Sequence, residues 1–413
     1  MPSALRRALR IMRTRGVTGV LLVLFRRAVD RLERRNTGDK VRPQLLVRWE
    51  DAVAVDWTTP APWQADPRTV VNESLRTAWI MHPPGESSGG HQNIFRFITY
   101  LESAGHEVTV YLYDSFDRAV DPVRVQEMLA SSPSYPNVDA TFRMYDGGVD
   151  PGTDVIVATG WETAYPAFRD PSLAKRAYFV QDFEPGFYPV GSEHTLAENT
   201  YRFGFHGITA GDWLATMLAR EYGMRTASFG FAADTSTYHL TNTGARDEVF
   251  FYARPVTARR GFELGLMALE RLVELRPDVT IHLAGWDVSA YDIPFPHVDH
   301  AAMKINELNE LYNRCGVGLV LSLTNLSLLP LELLAAGVVP VLNEGQNNRL
   351  VTDTPFIEYS EPTPAALARR MDEVLSRPDL AAHAAAAAAS VGGGGWDASG
   401  ARFVKALEDF ARG

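Results

Sequence analysis

Three arginines, Arg254, Arg259 and Arg260, fall in one short loop, RPVTARRG, between an apolar run and an amphipathic stretch. Guanidinium groups beyond the carboxyl end of a strand can bind a diphosphate bidentately and stabilise the charge it gains as a leaving group. A solvated surface loop is the alternative for any one of them. Further on, Leu319 to Asn343 reads LVLSLTNLSLLPLELLAAGVVPVLN: strand, turn, short helix, glycine stop at Gly337, strand. One acid, Glu332, lies in that helix between Leu331, Leu333 and Leu334. So enclosed an acid suits a pair of ribose hydroxyls, while the preceding turn aims N–H groups into the crevice of a parallel sheet. The stretch reads as the floor of a nucleotide-sugar site; the other reading of Glu332 is a surface acid.

Two more acids, Asp182 and Glu184, leave the strand Ala177 to Val180 in the run QDFEP, surrounded by Tyr178, Phe179, Phe183, Phe187 and Tyr188. Carboxylates at a strand exit can serve as a general base or hold sugar hydroxyls, and carbohydrate sites pair them with aromatic faces; a cap before Pro185 is the structural alternative. Nearer the start, PPGESSGG joins a buried strand to a helix, and Gly89-Gly90 lets a backbone approach an anion. No GxGxxG accompanies it, so a dinucleotide fingerprint is not supported.

These residues need two α/β units to position them. A chain of 413 residues exceeds one ordinary core. Thr77 to His82, the helix through Ile94, Phe97, Ile98 and Leu101, and Glu107 to Tyr113 form an opening βαβ unit; strands follow at Asp154 to Thr159, Ala177 to Val180 and Phe229 to Asp234. Helices are expected at Ala197 to Arg202 and Asp212 to Tyr222. Residues 40–75 form a lead-in whose tryptophans pack on the first unit. After a polar linker at 235–247, strands at Glu248 to Ala253, Val279 to Ala284 and Phe356 to Tyr359 accompany the focal stretch. A cleft between two such units takes large ligands.

Charge is uneven. Residues 1–36 hold ten arginines against Asp30 and Glu33, or +8, leaving −18 on the remainder of a chain whose net charge is −10. With Leu5, Leu9 and Met12 at helical spacing, this segment suits an anionic bilayer surface, a solvated tail, or docking on the acidic body. Its apolar patch, Val17 to Phe25, is too short to span a membrane. Nucleic-acid binding is disfavoured, since the basic region lacks interleaved aromatics and the body repels phosphates. The single cysteine, Cys315, excludes a disulfide framework and a cysteine-based zinc site and fits the cytoplasm.

The pattern Arg254…Arg260-Gly261…Gly285…LSLTNLSLLPLELLAAGVVPV resembles the donor half of GT-B glycosyltransferases of the GT4-like group. More closely, PPGESSGGHQNIFRFITYLESAGHEVTVY, ATGWETAYPAF and YFVQDFEPGFYPVGSEHTLAENTYRFGFHGITAG, with the focal stretch, resemble WsaF-type rhamnosyltransferases across roughly residues 77–360. The resemblance implies an α/β GT-B architecture of two Rossmann-like domains: an acceptor domain at 41–240 and a donor domain at 241–395, preceded by the basic segment 1–40 and followed by a helix at 396–413 that crosses back. It implies a retaining, metal-independent and cofactor-free transfer of L-rhamnose from dTDP-β-L-rhamnose to a growing surface polysaccharide or glycolipid. The basic pair falls on Arg254 and Arg260, with Arg259 adjacent. Of the family's E-x7-E acids the second falls on Glu332 and the first on Thr324, so sugar contacts pass to Thr324, Asn325 and Ser327 or to the first domain. Amides from Asn325 through Leu326 and Ser327 to Leu328 would receive the diphosphate, and backbone near Ala302 and Met303 the base. Gly89, Gly90 and His91 would face the donor, and Asp182 or Glu184 the acceptor. Competing readings are a transferase with another donor, a nucleotide-sugar 2-epimerase, and a catalytically silent glycan-binding scaffold.

Overall fold

A computed structural model describes residues 45–413 except 87, 117, 119, 351–353 and 392–394, so the reading of residues 1–40 lies outside the described residues. The chain runs through α1 (Trp49–Ala54), α2 (Pro62–Ala65), β1 (Arg76–Met81), α3 (Gly89–Ser103), β2 (Glu107–Leu112), α4 (Pro122–Ser131) and β3 (Thr141–Met144). It continues with β4 (Val155–Ala158), α5 (Trp161–Arg169), β5 (Lys175–Val180), α6 (Ser192–Thr200), β6 (His206–Ala210), α7 (Asp212–Tyr222) and β7 (Arg225–Phe229). These seven strands form one parallel sheet, in the order β3-β2-β1-β4-β5-β6-β7. Helices cover both faces, which is why β1, β4 and β5 are apolar nearly throughout rather than alternating.

The second unit comprises β8 (Glu248–Tyr252), α8 (Phe262–Leu275), β9 (Ile281–Ala284), β10 (Val298–Asp299), α9 (Ile305–Arg314), β11 (Cys315–Val320), α10 (Leu329–Ala335) and β12 (Val339–Asn343). Then come α11 (Gln346–Arg349), β13 (Glu358–Ser360), α12 (Pro364–Leu375), α13 (Leu380–Ser390) and α14 (Gly395–Arg412). Its sheet is also parallel, β10-β9-β8-β11-β12-β13. Both sheets reverse strand order beside their first strand, between β1 and β4 and between β8 and β11. Ligands of open parallel sheets bind beyond the carboxyl ends at such a reversal.

The terminal helix returns to the first sheet. Phe403 of α14 packs with Phe97 (4.9 Å between ring centres), Phe179 (5.6 Å) and Trp79 (6.0 Å), and the Tyr100 hydroxyl donates to Asp397 (2.9 Å). A Cβ on Gly400 would come within 2.4 Å of the Tyr100 ring, so only glycine allows this approach.

Three expectations are corrected. The strand expected at Phe229 to Asp234 instead ends at Phe229; Asp234 accepts hydrogen bonds from Ser236 and Thr237 and so turns the chain. α6 begins at Ser192, ahead of the expected Ala197. Of the lead-in tryptophans only Trp63 is buried, edge-on to Phe168 and Phe205, whereas Trp49 and Trp57 are exposed.

Candidate active site

On the first sheet, the loop leaving β1 turns into α3, whose N-cap is Ser88. The His91 ring is held between the Ser88 hydroxyl (3.0 Å) and the carbonyl of His82 (3.0 Å), and burial pushes its pKa down, so it is neutral at pH 7. Both of its nitrogens are committed to the loop, which makes it a support for the Gly-rich turn. A Cβ on Gly89 would meet nothing, and on Gly90 only the far end of Gln181 at 3.7 Å, so the protein leaves the space before this turn open. Gln181 donates to the Gly90 carbonyl (3.2 Å), and Asn93 links Gln181 to Arg96.

The second sheet supplies the cations. Arg254 follows β8 and donates to the Tyr252 hydroxyl (3.1 Å) and Thr257 (3.3 Å). Gly285, with φ of +116°, lies against the Tyr252 ring, where a Cβ would approach to 2.4 Å. Arg260 donates to the Ser322 hydroxyl (2.8 Å) and to the Asn325 carbonyl (3.4 Å). Burial lowers its pKa from the usual guanidinium value, opposed by nearby Asp182. The turn after β11 is fixed from below: Ser322 exchanges hydrogen bonds with Asn343, and Asn347 and Asn348 donate to its carbonyl. Among the described residues, the N–H groups of Leu326, Ser327 and Leu328 find no acceptor, whereas that of Asn325 is bound by Asp182 (2.7 Å). A turn with three free amides beside Arg260 and Arg254 is a ready anion cradle.

Glu332, in the first turn of α10, is half-buried, and among the described residues its side chain accepts no hydrogen bond. Burial pushes its pKa up to about 7; Arg96 of α3 opposes the rise and Asp234 adds to it. The crevice therefore holds an enclosed carboxyl whose oxygens await a donor. Met303 sits half-buried on the second core, in a stretch pinned by the hydrogen bond from the Gly285 amide to the Ala301 carbonyl (2.8 Å).

Several assignments change. Asp182 does not open to an acceptor: its carboxylate takes Arg259 (3.0 Å) and the Asn325 amide (2.7 Å), binding the two sheets together. Asn325 completes that contact by donating to the carbonyls of Gln181 (3.0 Å) and Ala210 (2.9 Å). Arg259 also lies over the Phe187 ring at 4.0 Å, so its charge serves the same contact rather than a diphosphate. Glu184 is enclosed, accepting from the Tyr178 hydroxyl (2.8 Å) and the Trp161 amide (2.5 Å); burial holds its pKa well above the carboxylate range. Leu326 points into the second core, and Thr324 is wedged against Gly186 with its hydroxyl unpartnered, a place too tight for the longer acid of the E-x7-E pattern.

Sequence reasoning passed over Glu162 and Arg96. Glu162 follows β4 at the reversal of the first sheet, half-buried beside Tyr188 and Glu193, with no bond from another residue's donor; burial and Glu193 push it up to about 7. Its signal was the acid in ATGWET, one turn past a strand exit. At the amino-terminal ends of β8, β9 and β11, inside the second sheet, Glu248, His282 and Cys315 also converge, but Glu248 binds Arg314 and His282 (2.7 Å), and His282 binds His300 (2.9 Å).

Comparison with known proteins agrees with this geometry. Residues 247–372 match the C-terminal domain model of WsaF, and residues 138–210 the N-terminal one. The O-antigen biosynthesis protein RfbC of Myxococcus xanthus is 33% identical over 338 residues, 80% of this chain; the chain spans only 26% of that relative. Among solved structures, TarM superposes with a TM-score of 0.66 at 7% identity, covering 82% of this chain and 99% of its own. HepE of Anabaena, solved with UDP-glucose, gives 0.61 at 12% identity, with 81% and 100% covered. Sucrose-phosphate synthase of Thermosynechococcus elongatus gives 0.59 at 12%, with 81% and 99% covered. Two facing parallel sheets and an arginine-lined turn thus carry matches to both WsaF domains, on a fold shared with GT-B structures.

Proposed function

We propose that this glycosyltransferase moves L-rhamnose from dTDP-β-L-rhamnose onto a growing surface polysaccharide or glycolipid, with retention of configuration and without a metal. The observation that carries the donor reading is the unpartnered Glu332 carboxyl opposite the free amides of Leu326, Ser327 and Leu328. The ribose would bind the first and the diphosphate the second, flanked by Arg254 and Arg260. The O-antigen role of the M. xanthus relative supports a polysaccharide acceptor. Thr324 in place of an acid leaves the sugar pocket short of one acceptor, which fits a 6-deoxy sugar having one hydroxyl fewer.

In the reaction the bond from the anomeric carbon to the diphosphate breaks first, and the sugar passes through an oxocarbenium-like state. Arg254, Arg260 and the turn amides hold the charge that accumulates on the leaving oxygens. The acceptor hydroxyl attacks on the same face, and its proton goes to the departing phosphate. Glu162 replaces Asp182 and Glu184 as the acid that orients the acceptor hydroxyl, because among the described residues it alone of the three accepts no hydrogen bond from another residue. Residues 1–36 would hold the enzyme on the inner face of the membrane; among the described residues no helix is long and apolar enough to cross one.

A UDP-sugar donor is the second reading, favoured by the UDP-glucose bound to HepE. Thermal shifts with dTDP, UDP, GDP and their sugars separate the two, because the ligand of the folded state raises Tm according to its affinity. The largest shift is expected with dTDP-rhamnose. Arg260→Ala should lower transfer by about 10²–10³-fold while the fold persists; an unchanged rate would remove Arg260 from the mechanism.

A further inference from the structure

Away from the cleft, a cavity of about 720 Å3 opens at the amino-terminal ends of β5, β6 and β7. The first residues of those strands, Lys175, His206 and Arg225, line one wall. One face of α14 lines the other, with Arg402, Lys405 and Asp409 at helical spacing. Five cations reach this cavity, the fifth being Arg176, against the single acid Asp409.

Two of the five are accounted for. Arg176 is buried and donates to the carbonyls of Ala167, Asp170 and Ser172, and Lys405 pairs with Asp409 (2.9 Å). Lys175 donates to the Phe410 carbonyl (3.1 Å) and Arg402 to that of Ala398 (3.4 Å). Among the described residues no carboxylate pairs with Lys175, Arg225 or Arg402. The contrast with other arginines is informative, since Arg276, Arg314, Arg349 and Arg370 all pair with acids in a body carrying −18. Burial and Arg225 together push the Lys175 pKa below its usual value, the signature of like charges held close. The rest of the wall is flat and apolar: the His206 ring stacks on Phe410 (4.6 Å, 8° between planes) and stays neutral at pH 7, beside Trp63.

We propose that this cavity binds a phosphate group, a mono- or diester held by Arg225, Arg402 and Lys175 on the side of the first domain opposite the cleft. Guanidinium forks match the paired oxygens of phosphate, and three cations with no carboxylate partner among the described residues favour an anion there. Such a phosphate is offered both by lipid headgroups and by soluble phosphate esters.

Calorimetric titration of the full chain with inorganic pyrophosphate tests this. Two sites are expected, one lost in Arg260→Ala and the other weakened at least about tenfold in R225A/R402A, about 1.4 kcal/mol, with transfer activity and ligand-free Tm kept. A single site that Arg260→Ala abolishes and R225A/R402A leaves intact would overturn the proposal. Arg402→Gln alone, on an exposed helix face, carries the same expectation if the double variant folds poorly. Vesicles of phosphatidylglycerol, against phosphatidylcholine, identify the source. Weaker sedimentation of R225A/R402A than of the parent, with competition by pyrophosphate, assigns a lipid headgroup; equal sedimentation alongside the lost pyrophosphate site assigns a soluble ester.

Discussion

The Glu332 carboxyl has two uses for its proton, and they run in opposite directions with pH. In the proposed role ribose hydroxyls need the carboxylate, which forms as pH rises through about 7 and is lost as pH falls through it. Affinity for a nucleotide sugar, whose diester phosphates do not titrate in this range, should fall by up to about tenfold per pH unit below pH 7. Glu332→Gln should bind more weakly and lose that slope; calorimetry from about pH 5.5 to 8.5 checks it, and an equal slope in both proteins would place the titration elsewhere. The unliganded fold behaves oppositely. Its raised carboxyl costs nothing below the ordinary 4.5 and costs progressively more up to about 7, because the folded state holds the proton longer. The places of Arg254 and Arg260 after β8 and of Glu332 in α10 were legible because loop position and apolar neighbours define them locally. Asp182 and Glu184 were not, since what a carboxylate bonds depends on partners such as Asn325, 143 residues away.

At the scale of elements, the exit of β5 and the turn after β11 are one unit joined through Asp182. Asp182→Ala leaves the buried Asn325 amide without an acceptor, a cost of about 1–3 kcal/mol. Chemical denaturation should show that loss, and hydrogen exchange at the Asn325 amide should quicken more than in Asp182→Asn, which retains an acceptor oxygen. Unchanged exchange in the alanine variant would mean that Asp182 does not hold the turn. Strands β1, β2, β4, β5, β8, β9, β11, β12 and β13 followed from apolar runs and glycine stops, whereas β6, β10 and α5 were not read from the sequence. β3 and α4 escaped notice because β3 is a four-residue edge strand and α4 buries only Leu129, so neither carries a long apolar period.

For the whole molecule, α14 is part of the first core although it is the last segment of the chain. Phe403→Ala should cost about 3–5 kcal/mol of unfolding free energy, read by urea denaturation; a loss under about 1 kcal/mol would make the helix peripheral. The amphipathic spacing of 396–411 told that a face is buried. It did not tell which sheet receives it, since both offer apolar cover.

That return gives the molecule a mechanical property. The chain crosses between its halves before β8, and α14 packs back on the first sheet through Phe403. Separating the two halves must therefore break both the α14 packing and the Asp182 contacts to Arg259 and Asn325.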